Sequence, residues 1–201
     1  FAAKLWPWMK PKVAATRWNA IREKAVHTGK PQSVTIADAL RMADALSGGT
    51  LNMQTLVTRE DGLSSASALV ALIRETFSGA DADDVSYFYI STHGLWNTAV
   101  NGLMTLLLSD GESEEGITAY ELRRVFDTIP GKKVLLLDAC HSGAMIGKGV
   151  EKSFENLFAG DNYYVVCSSG GEEESWYWSG EVGGERLAGA GYFSGALADA
   201  L

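Results

Sequence analysis

Cysteine is scarce in this sequence, and long apolar runs and blocks of basic residues are absent. Two cysteines are too few for the disulfide framework that holds many small secreted domains together. No run approaches eighteen consecutive apolar residues, so the sequence predicts no membrane span. A formal net charge of -8 without a basic block argues against nucleic acid as the main partner.

The composition fits one well-filled domain. The 201 residues are 46% hydrophobic, which is enough for a single sizeable core. Residues 1–34 carry no pattern that assigns an element, and we expect irregular or short helical structure there, whereas residues 35–201 form the predicted domain. Phe1 is not an initiator methionine, so we expect a fragment or a processed form, and the sequence assigns no compartment.

Strands and helices alternate in the predicted domain. Apolar residues recur at helical spacing over residues 36–46 and 69–77, and residues 118–121 have the pattern of a capping box. Residues 85–92 and 163–167 have the β-branched and aromatic composition of buried strands. This alternation predicts an α/β sandwich with a mostly parallel sheet.

The most informative stretch is an apolar strand that ends in reactive side chains. Residues 134–137 are Val-Leu-Leu-Leu, typical of a strand buried on both faces, and Asp138, Cys140 and His141 follow at once. Open α/β sheets bind their ligands at the carboxyl ends of parallel strands. A lone cysteine is usually a small buried hydrophobe. Here its polar and turn-forming neighbours indicate that Cys140 leaves the core.

An earlier strand ends in a histidine in the same way. The strand predicted over residues 85–92 is followed by His93 and Gly94, so His93 and Cys140 occupy equivalent places on their two strands. A cysteine nucleophile needs a base or a cationic neighbour to be ionised near neutral pH, and imidazole supplies it. The two residues therefore predict a catalytic dyad.

These two motifs resemble the signatures of a known family. Residues 91–94, Ser-Thr-His-Gly, and residues 138–143, Asp-Ala-Cys-His-Ser-Gly, are similar to those of the caspase-like (clan CD) cysteine peptidases. The form of the cysteine motif is most similar to the clostripain-like and metacaspase branches, and it lacks the Gln-Ala-Cys signature of true caspases. The resemblance extends over roughly residues 36–201.

The resemblance implies a fold, an activity and a substrate class. It implies a three-layer α/β/α sandwich and a cysteine endopeptidase that acts on peptides or proteins, in which the backbone amides of Gly94 and Cys140 hold the oxyanion. No cofactor is expected, although some members of the family depend on calcium. The family's fold opens with a glycine-bearing strand, and nothing before Thr35 matches it. We therefore expect that this strand is lacking or is replaced by an atypical segment.

Asp138 suggests the specificity. By the alternation of side chains along a strand, Asp138 faces the same side as Cys140, where a carboxylate would pair with a substrate Arg or Lys. The resembling branches share this acid and prefer basic residues, and they carry a second acid after the next strand. Glu172 stands in roughly that place, after Ser168 and Ser169, so these three residues join the predicted substrate-binding set. Alternatively, Asp138 caps backbone amides of the turn.

Other chemistries fit the residues less well. Asp81, Asp83 and Asp84 do not have the spacing of an EF-hand, and a zinc site of Cys140, His141 and His93 would lack a fourth ligand. A cysteine phosphatase would need Arg at position 146, where the chain has Ile, and Asp138 and Ser142 break the glycine pattern of a nucleophile elbow. No metal site is predicted.

Two further alternatives concern the dyad itself. His141 is adjacent to the nucleophile, but neighbouring residues that leave a strand point apart, so His93 ranks above it as the base. A bond between Cys140 and Cys167 would silence the dyad, and we expect two free thiols. The competing function is a caspase-like interaction or signalling module with little or no peptidase activity.

Overall fold

The structure is a computed structural model that describes residues 17–21, 32–48, 54–58, 63, 65–96, 104–109, 112–150, 156–182 and 185–201. Four helices are present in these ranges: α1 (Gln32–Gly48), α2 (Ala66–Thr76), α3 (Ala119–Phe126) and α4 (Tyr192–Ala200). The strands are β1 (Arg17–Ile21), β2 (Gln54–Thr58), β3 (Val85–Ser91), β4 (Gly94–Trp96), β5 (Met104–Ser109), β6 (Glu114–Thr118), β7 (Lys132–Asp138), β8 (Tyr163–Cys167), β9 (Tyr177–Val182) and β10 (Glu185–Gly191).

A five-stranded sheet forms the centre of the molecule. Its order is β2-β1-β3-β7-β8, and every neighbouring pair is parallel. Parallel strands need crossover connections, and the helices between the strands provide them. The carboxyl ends of all five strands therefore lie along the same edge of the sheet.

Both faces of the sheet are covered by helices. Phe88 and Ile90 of β3 pack into a core cluster that includes residues of α2 and α3. Tyr87 and Tyr89, which alternate with them, pack into a second cluster with Met42 and other residues of α1. The architecture is a three-layer α/β/α sandwich with a mostly parallel sheet, and the predicted fold class is confirmed.

Two of the helices, α2 and α3, begin at side-chain caps that the sequence provides. The Ser65 hydroxyl accepts the amide N–H of Ala68 at the start of α2. Thr118 and Glu121 form the predicted capping box at the start of α3, where each side chain accepts the other residue's amide N–H. These caps fix the helix starts at the ends of the preceding segments.

The two smaller sheets are antiparallel. The apolar residues 103–109 and the following Asp110-Gly111 predict a hairpin, and β5 pairs antiparallel with β6 there and with β4 on its other side; Asp110 and Gly111 lie outside the described residues. The antiparallel pair β9 and β10 was not predicted. Its strands read Tyr-Trp-Ser-Gly-Glu-Val and Glu-Arg-Leu-Ala-Gly-Ala-Gly, and the glycines obscure the strand pattern.

The N-terminal segment contributes a strand to the main sheet. Residues 17–21 form β1 between β2 and β3, so the expectation of irregular or short helical structure is wrong for these residues. The strand reads Arg-Trp-Asn-Ala-Ile and contains no glycine. The rest of residues 1–31 lies outside the described residues.

Candidate active site

The two motif-bearing strands are neighbours and end in register. In the parallel pair β3 and β7, Ser91 lies opposite Asp138, and the Thr92 amide donates to the Asp138 carbonyl at 3.1 Å. His93 follows Ser91 by the same number of residues as Cys140 follows Asp138. The register therefore carries His93 and Cys140 to equivalent positions just beyond the same edge of the sheet.

Gly94 lies directly against the backbone of Cys140. A Cβ atom built on Gly94 would overlap the carbonyl oxygen of Cys140 and would lie 3.0 Å from its carbonyl carbon. It would also lie 2.6 Å from the terminal methyl group of Met104. The absence of a Cβ lets the segment after His93 approach the segment that carries Cys140. This contact joins the two motifs of the sequence.

The Cys140 sulfur contacts a third segment, the loop after β8. Cys140 is half-buried, and its Sγ accepts the main-chain N–H of Ser175 at 3.3 Å. The Ser175 carbonyl oxygen lies farther away, at 3.8 Å from the same sulfur. Three strand ends, those of β3, β7 and β8, thus contribute to the surroundings of the thiol.

The two candidate bases are in different environments. His141 has a left-handed backbone conformation, with φ of 61°, and its Nδ1 lies 2.9 Å from the Gly171 carbonyl oxygen. Its amide N–H donates to the Glu173 carbonyl at 2.8 Å, so both contacts direct this residue toward the loop after β8. The Nε2 atom of His93 is buried, beside the strand end that contacts Cys140. The loop after β8 therefore accounts for these contacts of His141, and His93 remains the predicted base.

Asp138 lies beneath the site and is fully buried. Its Oδ1 accepts the Ser175 hydroxyl at 2.7 Å, and its Oδ2 accepts the Ser194 hydroxyl. Asp138 and Cys140 therefore both contact Ser175, as expected for two residues that face the same side of the strand end. The hydroxyl contacts place two serines around the carboxylate that was predicted to bind a basic side chain.

A second buried acid lies near Asp138. Asp38 of α1 accepts the Gly191 amide N–H at 3.0 Å and is fully buried. The hydroxyls of Tyr89 and Ser194 lie 2.6 Å apart between the two acids. Burial, together with the charges of Asp138 and Asp38, holds the pKa of Tyr89 well above its usual value, so this phenol stays protonated.

Ser168 and Ser169 contact the backbone of the cysteine loop. The Ser168 hydroxyl contacts both the N–H and the carbonyl of Ala139, at 3.1 and 3.2 Å, and the Ser169 hydroxyl donates to the same carbonyl at 3.1 Å. These bonds hold the residue that precedes Cys140. Glu172 is exposed, and its amide N–H donates to the Gly149 carbonyl at 3.1 Å.

A groove of about 610 Å³ runs beside β8. Ser168 and Ser169 line it, together with Lys148 and Glu173, whereas His93 and Cys140 do not. Two of the predicted substrate-binding residues therefore face this groove as well as the cysteine loop.

The second cysteine is in a very different environment. Burial raises the pKa of the Cys167 thiol to about 12, and its Sγ lies 3.3 Å from the Ser142 carbonyl, to which it donates. Cys140 and Cys167 are both free thiols, as expected. Because only a thiolate is an effective nucleophile, the environment of Cys167 leaves it unreactive near neutral pH.

Within the described ranges, no group of three or more His, Cys, Asp and Glu side chains is arranged to hold a metal ion. The helices found there are also too short or too polar to cross a membrane.

Sequence analysis did not identify three residues that lie near Asp138. Ser175, Ser194 and Asp38 come from the loop after β8, from α4 and from α1, and none belongs to either motif. Ser175 could have been found, because it follows a third strand whose carboxyl end lies at the same edge of the sheet. Ser194 and Asp38 lie within helices, and nothing in their spacing indicates the contacts they make.

Comparisons with known proteins bear on the fold. No family model matches the chain, and no curated protein matches it. Among solved structures, protein GSU0716 from Geobacter sulfurreducens, a structural genomics target, is similar with a TM-score of 0.58 and 16% sequence identity. The match covers 91% of this chain and 80% of that one. At this identity the likeness concerns the fold alone.

Proposed function

We propose that this protein is a cysteine endopeptidase in which Cys140 is the nucleophile and His93 is the general base and acid. The observation that carries the proposal is the contact of Gly94 with the Cys140 carbonyl, just after the ends of β3 and β7, which pair in register. It brings a thiol and an imidazole to one edge of the sheet, where α/β folds bind their ligands. The caspase-like form of both motifs supports the same function.

The reaction has two halves. His93 takes the thiol proton, and the Cys140 sulfur attacks the scissile carbonyl carbon to form a C–S bond. The amide C–N bond then breaks as His93 gives the proton to the leaving amine, which leaves a thioester. Water, deprotonated by His93, hydrolyses the thioester and restores the thiol. Backbone amides of Gly94 and Cys140 are the proposed donors to the oxyanion, and each such donor is worth about 3–4 kcal/mol.

Basic specificity is the second part of the proposal. Asp138 shares Ser175 with Cys140, so its carboxylate lies close to the nucleophile. A substrate Arg or Lys that displaces the Ser194 hydroxyl from Asp138 would gain a charge-assisted hydrogen bond. Ser168 and Ser169 would act by holding the cysteine loop beside the groove at β8. Glu172 would add negative charge on the exposed loop after β8.

A peptide library tests the proposal. Wild type should cleave after Arg or Lys, and Cys140→Ala should cleave nothing, which controls for contaminating peptidases. Asp138→Asn should lose most activity on basic substrates, because the pocket loses its charge. It should still react with a small thiol alkylator at a pH that ionises Cys140.

The outcomes separate the two parts of the proposal. Cleavage that is strongest after Asp or Asn would contradict the specificity and leave the dyad intact. If wild type cleaves nothing and Cys140 does not react with a thiol probe in a His93-dependent way, the peptidase is refuted and an interaction module is favoured.

A further inference from the structure

We propose that Ser175 is a positioning residue for the nucleophile. Its main-chain N–H stabilises the Cys140 thiolate, and its hydroxyl, bound to Asp138, holds that N–H in place. This inference rests on the proposed function in taking Cys140 as the nucleophile. It adds a role for a residue that belongs to neither sequence motif.

The contacts of the sulfur support a role for the amide. The Ser175 nitrogen lies 3.3 Å from Sγ, whereas the Ser175 carbonyl oxygen lies 3.8 Å away. The sulfur is therefore placed to accept a hydrogen bond more than to donate one. An N–H donor strengthens its bond when its acceptor becomes charged, so this contact favours the thiolate over the thiol.

The side chain of the same residue provides the anchor. The Ser175 hydroxyl donates to Asp138 Oδ1 at 2.7 Å, and Asp138 is fully buried at the end of a central strand. The other carboxylate oxygen is held by Ser194 of α4. The anchor is therefore fixed from two elements of the fold.

The neighbouring backbone is fixed too. The carbonyl of Trp176 accepts the amide N–H of Tyr192 at 3.0 Å, at the start of α4. On the other side, the Glu173 carbonyl accepts the His141 amide at 2.8 Å. Ser175 thus lies between two tethers, and its hydroxyl ties it to Asp138 at the strand end below Cys140.

Proton transfer follows directly from this arrangement. The S–H bond of Cys140 breaks, the proton passes to the His93 imidazole, and the electron pair remains on sulfur, where the Ser175 N–H donates to it. Without the Ser175 hydroxyl, the amide is less firmly held and the thiol ionises at higher pH. Ser175 is therefore the residue at which to isolate the effect of the amide.

The test is the pH dependence of Cys140 alkylation by iodoacetamide, measured in a Cys167→Ala background so that one thiol reacts. Ser175→Ala should shift the alkylation profile to higher pH, with alkylation below the pKa slowed about threefold to tenfold and the high-pH plateau unchanged. Ser194→Ala is the comparison variant, because it removes the other hydroxyl from Asp138 while leaving the Ser175 hydroxyl in place, and it should shift the profile less than Ser175→Ala. Ser175→Thr keeps the hydroxyl and should restore the wild-type profile.

Each possible alkylation profile either supports the proposed role of Ser175 or overturns it. A Ser175→Ala profile that matches wild type or moves to lower pH overturns the proposal, and so does an equal shift in Ser194→Ala. Near-UV circular dichroism verifies that the variants keep their fold. Because alkylation needs no peptide substrate, failure of the peptidase hypothesis would appear separately, as absent cleavage by a wild type whose Cys140 titrates as expected.

Discussion

Gly94 is the residue whose small size matters most for the proposed dyad. Gly94→Ala would force a methyl group against the Cys140 carbonyl and Met104, and the backbone must move because a carbonyl cannot rotate away. We expect a loss of about 1–3 kcal/mol in the free energy of unfolding. We also expect a fall of about a hundredfold in kcat/KM, because the dyad is displaced. Urea denaturation and peptide hydrolysis measure the two effects.

Gly195 offers the matched control for that substitution. A Cβ atom there would lie 3.6 Å from the Ala190 Cβ, which is an ordinary contact, and Gly195 lies within α4. Gly195→Ala should therefore retain activity and stabilise the protein by about 0.5–1 kcal/mol. Wild-type activity in Gly94→Ala would contradict the close approach of the two strand ends.

The two cysteines should differ sharply in reactivity. With a thiol pKa of about 12, fewer than about one in ten thousand Cys167 side chains are ionised near pH 7.5. Wild type and Cys167→Ala should each take up one equivalent of iodoacetamide, and Cys140→Ala should take up almost none in the same time. Mass spectrometry of the labelled protein gives the count. Rapid labelling of Cys167 in the folded protein would contradict its raised pKa.

At the scale of single residues, the sequence indicated the proposed reacting groups but not the residues that hold them in place. His93 and Cys140 were predictable because each follows an apolar strand, and parallel strands end at one edge. Ser175 and Ser194 reach Asp138 from a loop and a helix far along the chain. Such contacts depend on tertiary packing, which local patterns do not encode.

Among the elements, α3 depends on its cap. Thr118→Ala removes the hydroxyl that accepts the Glu121 amide and should lower the free energy of unfolding by about 1 kcal/mol. Thr118→Ser keeps the hydroxyl and should cost much less. Urea denaturation compares the two variants, and equal losses in both would mean that packing of the threonine methyl group, not the cap, stabilises this end of the helix.

Strands and helices differed in how far the sequence revealed them. Three of the four described α-helices were predictable from apolar residues at helical spacing or from a capping box, and β3, β7 and β8 were predictable because apolar residues dominate them. β1 was not predictable, because its sequence, Arg-Trp-Asn-Ala-Ile, shows neither an alternation of apolar and polar residues nor an apolar run. Its pairing with β2 and β3 on both sides decides its conformation.

For the whole molecule, the raised pKa values of a thiol and a phenol predict that the free energy of unfolding falls at alkaline pH. Burial raises the pKa of Cys167 from 9.0 to about 12 and that of Tyr87 from 10.0 to about 12. The unfolded chain releases these protons at lower pH than the folded chain, so rising pH favours unfolding. Their contribution to the free energy of unfolding is complete below about pH 9 and is lost as the pH rises to about 12. Over that range each group lowers the free energy of unfolding by up to about 1.4 kcal/mol per pH unit.

Urea denaturation at several pH values tests this directly. The free energy of unfolding should fall from about pH 9 upward, and Cys167→Ala and Tyr87→Phe should each fall less steeply than wild type. Identical slopes in wild type and both variants would show that these groups do not carry the effect.

The central claim is that His93 and Cys140 act as one unit at the common edge of the sheet. The most direct measurement is kcat/KM for an Arg or Lys peptide in wild type, His93→Ala, Cys140→Ala, the double variant and His141→Ala. The account predicts losses of about a thousandfold or more in each dyad variant, a double variant little worse than either single one, and a smaller loss in His141→Ala. Full activity in His93→Ala, with loss only in Cys140→Ala and His141→Ala, would contradict it.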